Sequence, residues 1–350
     1  MEPPIRPCDS RLSPGHTRFG NPPASFRIEP FVPRRGIRGG DLQTIISTFA
    51  RRASTLPASE RTLVQVEPEV QVLCHCHWQA DRTSAPAAVV VHGLEGSSDS
   101  QYVVGIANKL WDAGFSIIRM NVRNCGGTEK LSATLYHSGL SADIGEVIKF
   151  LSARDGLRDV FLAGFSMGGN QVLKLAGEWG TEAPKCLRGV AAVSPAMDLA
   201  LSADALHSLR NRIYEWWFLL SLRASIRRKA MLFPEKFKVD RGWWRSIRDF
   251  DHTVTAPHCG FASAEDYYER SSASRVLRHI AVPTLILHAK DDPFIRVSPS
   301  SYEALAQNPC VHFVETNHGG HCGFLAAPEG YDGRWAERQA VRFFEHLLGR

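Results

Sequence analysis

A chain of 350 residues, 44% hydrophobic and 22% charged, can bury one large core or two smaller ones. Its formal charge of +5 is too mild to indicate a nucleic-acid partner, and no apolar run reaches the roughly 18 residues of a membrane-spanning helix. The opening Met1-Glu2-Pro3-Pro4 has neither the basic region nor the apolar core of a secretory signal. Eight cysteines without framework spacing fit a reducing compartment, so the expectation is a cytoplasmic protein.

Residues 1–25 are rich in Pro, Ser, Gly and Arg and read as a flexible arm, which leaves 26–350 as the folded domain. From Phe31 to Arg52 the chain is expected to wrap that domain. Leu63–Val66 and Val70–Leu73 read as paired strands joined by a turn containing Pro68. Apolar strands then alternate with amphipathic helices. The strands are Ala88–His92, Phe115–Asn121, Val160–Gly164, Gly189–Ser194, Thr284–His288 and Val311–Glu315. The helices include Tyr102–Ala113, Leu140–Ala153, Asn170–Trp179 and a closing Trp335–Leu348. Such alternation predicts an α/β fold with a mostly parallel central sheet and helices on both faces. Residues 196–275 break the rhythm with a helical, aromatic insertion expected to cap the site. Between His207 and Phe250 stand eleven Lys or Arg against four acids, a net +7. Two readings of this cap remain open: an amphipathic lid whose basic side chains stay solvated, or a peripheral membrane contact for anionic lipid.

The chemistry is carried by Gly164-Phe165-Ser166-Met167-Gly168, a G-x-S-x-G placed between an apolar strand and a helix. Its glycines clear the space for a sharp turn that presents the Ser166 hydroxyl above the positive end of a helix. A serine needs a base and an orienting acid, and both types follow. Ala289-Lys290-Asp291-Asp292-Pro293 offers two acids, and His318-Gly319-Gly320-His321 offers two bases. The order Ser, Asp, His is that of α/β-hydrolases. The glycine pair before His321 favours it over His318, which reads as a solvated loop histidine. Aligning Ala289 with the glycine of a G-x-x-D turn favours Asp292, with Asp291 the fallback. Upstream, Val91-His92-Gly93-Leu94-Glu95-Gly96 ends a strand in H-G-x-x-G, so the N–H groups of Leu94 and Met167 are the expected oxyanion donors. Serine at position 166 argues against epoxide hydrolase or dehalogenase chemistry, which needs Asp there, and against a dienelactone hydrolase, which needs Cys.

Cys74-His75-Cys76-His77 invites a metal reading. On a strand, alternation sends the cysteines to one face and the histidines to the other, so no metal site is expected. Cys125 and Cys322 lie near the site loops, and each has a packing explanation.

Several further blocks resemble the YheT-like branch of α/β-hydrolases. Gly40-Asp41-Leu42-Gln43-Thr44-Ile45 is similar to an H-L-Q-T-I/L element, with Asp41 where His is usual. Asn121-Val122-Arg123-Asn124-Cys125-Gly126-Gly127, followed by Tyr136-His137-Ser138-Gly139 and Asp143, resembles N-x-R-G-C-x-G … Y-H-S-G … D, with Asn124 replacing a glycine. Phe250-Asp251, Thr255-Ala256-Pro257, Gly260-Phe261 and Asp266-Tyr267-Tyr268 resemble the family's cap element, and Gly319-Gly320-His321-Cys322-Gly323-Phe324 matches G-G-H-x-G-F. The resemblance implies the α/β-hydrolase fold and cofactor-free hydrolysis of a small-molecule acyl ester or a lipid ester. The rivals are acyl transfer to an alcohol by the same residues, and a non-catalytic scaffold that binds lipid.

Overall fold

The structure is a computed structural model, and it describes residues 26–237 and 243–350. The arm read over 1–25 lies outside the described residues.

The expected sheet forms from eight strands: β1 Glu60–Glu67, β2 Val70–His77, β3 Ala87–Val91, β4 Ser116–Met120, β5 Val160–Phe165, β6 Leu187–Val193, β7 Thr284–Ala289 and β8 Val311–Thr316. Their spatial order is β1-β2-β4-β3-β5-β6-β7-β8. β1 and β2 form an antiparallel ribbon, and β2 joins β4 antiparallel; every other pairing is parallel. Alternation along the central strands feeds two cores. Val89 and Val91 of β3 pack on one side with α3 (Ser141–Asp155) and α4 (Met167–Trp179). Ala88 and Val90 pack on the other with α2 (Gln101–Asp112) and α11 (Trp335–Leu347). That double burial explains why these strands read as unbroken apolar runs.

Two helices were not legible in the sequence. α1 (Gly40–Phe49) lies in the segment expected only to wrap the domain, and α10 (Pro299–Gln307) fills the connection between β7 and β8. Between β6 and β7 the chain forms α5 (Leu199–His207), α6 (Arg212–Leu232) and, beyond 238–242, a near-continuous run. That run consists of α7 (Ile247–Phe250), a π turn and α8 (Ala256–His258), followed by α9 (Ala264–Ser271). These helices share an apolar cluster of their own, in which Leu206, Leu222, Ile226, Phe250 and Tyr267 meet Phe294 and Ile295 from the end of β7.

Asp292 and Ser166 sit just beyond β7 and β5, at the carboxyl ends of the parallel strands, where open α/β sheets carry their ligands. Positive φ gathers there too: Glu95 (54°) after β3, Asn124 (64°) after β4, Ser166 (54°) after β5, Ser194 (45°) after β6 and Cys322 (58°) beyond β8. Each is a non-glycine residue in a sparsely populated region, and such strain collects at functional sites.

Candidate active site

β5 delivers Ser166 and α4 begins at Met167 with no residue between them, so Ser166 must turn the chain by itself. It does so at φ 54° and ψ −118°. The glycines around it are sterically required. A Cβ on Gly164 would stand 2.4 Å from the Gly168 carbonyl oxygen, and one on Gly168 would stand 2.4 Å from that of His92. Backbone cannot yield there, which is the physical content of G-x-S-x-G. Met167 is the first helical residue, so its N–H belongs to the unpaired, positive end of α4.

The H-G-x-x-G loop packs directly on this turn, a Cβ on Gly93 lying 3.0 Å from the Ser166 Cβ. His92 fixes the loop from beneath. Its Nε2 accepts the Val122 N–H at 3.1 Å, so its Nδ1–H donates to the Gly93 carbonyl at 2.7 Å. Burial pushes its pKa down to about 4 and keeps it a neutral strut. The N–H groups beside the two expected oxyanion donors are already committed: Gly93 to Tyr102 Oη at 2.9 Å, and Ser166 to the Val193 carbonyl at 3.0 Å.

The two acid–base candidates form two separate pairs. Asp292 Oδ2 accepts from His321 Nδ1 at 2.9 Å, with side chains 0% and 12% exposed. Asp291 Oδ2 pairs with His318 Nδ1 at 3.1 Å, with side chains 22% and 45% exposed. The inner pair is the one preferred from sequence. His318 is more than a solvated histidine, because Asp291 holds it while its other oxygen accepts the Gly320 N–H at 2.9 Å. Asp292 is fastened twice more: its Oδ1 accepts the N–H groups of Phe294 at 3.1 Å and Ile295 at 2.9 Å. Burial opposes charge on Asp292, but His321, the nearby His288 and the Ile295 N–H outweigh it and hold its pKa below the ordinary value. On His321 burial again opposes charge; the adjacent Cys322 and the Asp292 carboxylate offset it and raise the pKa.

The His321 loop and the Ser166 turn hang on the same strand end. The Val193 carbonyl takes the Ser166 N–H, and the Cys322 N–H donates to Ser194 Oγ at 3.1 Å. The role of the first sequence block emerges here. Thr44 Oγ1 accepts the His321 N–H at 2.8 Å, and Gln43 Oε1 accepts the Leu325 N–H at 2.6 Å, so α1 staples the loop that carries His321. Its glycine approaches closely as well, since a Cβ on Gly40 would meet the Asp291 carbonyl oxygen at 1.8 Å. The second block is a brace. Arg123, buried, grips Asp143 with two bonds of 2.5 Å and also pairs with Glu67, holding the loop after β4.

Ser166, Met167 and Leu94 open onto one cavity of about 1020 Å³, counting the space at its mouth. Apolar side chains of the insertion dominate its wall, among them Leu206, Phe218, Leu222 and Ile226. Phe294 joins this wall with its ring 4.4 Å from that of His321. Glu95, which nothing in the sequence marked, tethers the loop to the insertion: it accepts from Tyr136 Oη and from Ser225 Oγ, each at 2.5 Å. Cys74 and Cys76 face the core while His75 bonds Ser59 and His77 bonds the Pro57 carbonyl, so the four side chains diverge. Cys125 is packed in the core.

Residues 86–328 match the alpha/beta hydrolase fold family. A putative esterase, YheT, of Escherichia coli is 32% identical over 88% of this chain and 90% of its own length. The mouse phospholipase ABHD3 is 28% identical over 71% of this chain and 60% of its own. Among solved structures, an esterase of Pyrococcus furiosus aligns over 83% of this chain and 91% of its own with a TM-score of 0.56, at 15% identity, a likeness of fold. The chain belongs to the alpha/beta hydrolase family, in its YheT-like branch.

Proposed function

We propose that this ester hydrolase acts on carboxylic esters with an extended apolar acyl group, using Ser166 as nucleophile, His321 as base, Asp292 as orienting acid and the N–H groups of Leu94 and Met167 as the oxyanion hole. The observation that carries the reading is a strained Ser166 lining an apolar cavity whose wall includes Phe294, the ring that packs 4.4 Å from His321 of the buried His321–Asp292 pair. His321 takes the Ser166 proton as the oxygen attacks the acyl carbonyl. The tetrahedral oxyanion is held by the two N–H groups. His321 then protonates the departing alcohol, leaving the acyl group on Ser166. Water, deprotonated by the same imidazole, attacks the acyl carbonyl; the bond to Ser166 Oγ then breaks, the imidazolium returns its proton to that oxygen, and the carboxylic acid leaves. Asp292 stays ionised throughout and supports the imidazolium.

The acyl group is assigned to the cavity because its wall offers hydrocarbon and few unpaired polar groups: Lys229, Asp251 and Glu95 on its lining are each already bonded within the protein. A p-nitrophenyl ester series from acetate to palmitate is the test. kcat/KM should climb from acetate into the medium chains as methylenes enter the wall, by about threefold to fourfold for each fully buried CH₂. A flat profile across the series overturns the assignment of the cavity, and loss of all turnover in the wild type overturns the chemistry.

A further inference from the structure

Helix α6 is apolar on both sides. Leu219, Leu222 and Ile226 point into the insertion's cluster, as a surface helix should arrange them. The opposite face, which ought to be polar, instead carries Ile213 (79% exposed), Trp216 (57%), Trp217 (54%) and Leu220 (40%). The spacing of these four positions puts them on one stripe. Helix α1 repeats the pattern with Leu42, Ile45 and Phe49, the last 62% exposed. The two stripes are one surface. Phe49 meets Trp217 edge-to-face at 6.0 Å, and Asp41 of α1 bonds both Arg210, just before α6, and Tyr214 within it. Scattered exposed apolar residues are ordinary, but a contiguous patch with two tryptophans marks a contact surface.

The charges around it select the partner. Between Val32 and Ala58 there are five arginines and one acid, Asp41, already paired with Arg210. On α6 the one acid, Glu215, is buried and bonded to the Ile247 N–H, so the exposed face of that helix has no negative charge. Arg34, Arg35, Arg38, Arg51, Arg212 and Arg227 are exposed along these segments. A second copy of the chain docked through a two-fold axis would set this basic rim against itself. An anionic lipid surface answers both features: hydrocarbon for the aromatic stripe and phosphate charge for the arginines.

We propose that the face shared by α1 and the first half of α6 docks on an anionic lipid surface. The same two helices reach the site from within. Thr44 of α1 holds the His321 N–H, and Phe218, Leu222 and Ile226 of α6 line the cavity. Docking therefore sets the cavity's helical wall beside the lipid. The proposal does not depend on the residue roles given above, because adsorption needs no turnover.

The test is co-sedimentation of the full-length chain with phosphatidylcholine vesicles, with and without phosphatidylglycerol, at low and high salt. Binding is expected on the phosphatidylglycerol vesicles at low salt and should fall at high salt, each cation near the surface adding about fivefold to partitioning. Trp216→Glu with Trp217→Glu, and separately Phe49→Glu on the other helix, should each lower binding at least about tenfold. Hydrolysis of a short, water-soluble ester should stay near the wild-type rate in both variants. Wild-type binding by both variants, or equal binding to neutral and anionic vesicles at all salts, overturns the proposal. So does a dimer in light scattering that Phe49→Glu dissociates without any vesicle binding, since a second copy then covers the face. Loss of ester hydrolysis in wild type with vesicle binding intact refutes the chemical reading and leaves this one standing.

Discussion

Replacing Asp292 by Asn tests the inner acid–base pair with a magnitude that follows from its hydrogen bonds. Asp292 Oδ1 is claimed by the N–H groups of Phe294 and Ile295, so an amide at this position must keep its oxygen there. Its NH₂ then faces His321 Nδ1, which must become an acceptor and carry its proton on Nε2 instead. That tautomer cannot take the Ser166 proton. The analogous change in the serine-protease triad lowers kcat about 10⁴-fold, or about 5.5 kcal/mol, and a loss of that order is expected here. The imidazolium also loses its anionic partner, so the raised His321 pKa should fall. Because the neutral ring is the active form, the acidic limb of the residual pH–rate profile should move to lower pH. Asp291→Asn is the control: its partner His318 is half exposed, and the change should cost no more than a few-fold. The assay is p-nitrophenyl butyrate hydrolysis across pH, with thermal unfolding to verify the fold. Equal losses in the two variants, or an acidic limb that moves upward in Asp292→Asn, would refute the reasoning.

Three further expectations follow from the same geometry. A fluorophosphonate probe should label the chain once, at Ser166, and labelling of Ser166→Ala at the wild-type rate would remove the nucleophile assignment. Thr44→Val leaves the part-buried His321 N–H without its acceptor, a cost of about 1 kcal/mol. Short-ester kcat should fall with KM nearly unchanged, and steady-state kinetics distinguish that from a loss of binding. Gly168→Ala drives a Cβ to 2.4 Å from the His92 carbonyl oxygen and 2.5 Å from that of Val91, so it should unfold the elbow rather than merely slow the enzyme, which a denaturation curve reports.

The centre of the sheet was legible because its strands are buried on both faces and read as unbroken apolar runs, and the Ser166 turn because its steric demands admit only glycine at 164 and 168. α1 escaped the reading for a related reason. Its apolar stripe of Leu42, Ile45 and Phe49 faces outward while the polar Gln43 and Thr44 are buried against the His321 loop, the reverse of the arrangement that a core-facing helix shows. Glu95 could not have been singled out from sequence, since its partners Tyr136 and Ser225 lie 41 and 130 residues away. The choice between Asp291 and Asp292 rested on a one-residue alignment, and burial separates the two only in three dimensions.

Both departures from the family pattern turn out to be contacts with the helical insertion, and Asn124 allows the competing terms to be weighed. Asp41 ties α1 to Arg210 and Tyr214. Asn124 Oδ1 accepts from Lys229 of α6 at 2.9 Å, and its Nδ2 donates to the Thr134 carbonyl at 2.8 Å. Lys229 is buried, its other bonds going to the carbonyls of Glu129 and Ser132, and burial pushes its pKa down to about 8. Asn124→Gly restores the glycine of the family pattern and relieves a residue at φ 64°, a gain of up to about 1 kcal/mol. It also deprives a buried ammonium of one of three acceptors, which costs about 1–3 kcal/mol. The loss outweighs the gain, so Asn124→Gly should destabilise the chain by about 1 kcal/mol. Asn124→Ala, which loses the same bonds and keeps the strained φ, should cost about 1 kcal/mol more. Urea unfolding of the two variants at neutral pH gives both numbers. If Asn124→Ala proves as stable as wild type, the Lys229 bond contributes nothing net, and Asn124 is not what anchors α6 over the cavity.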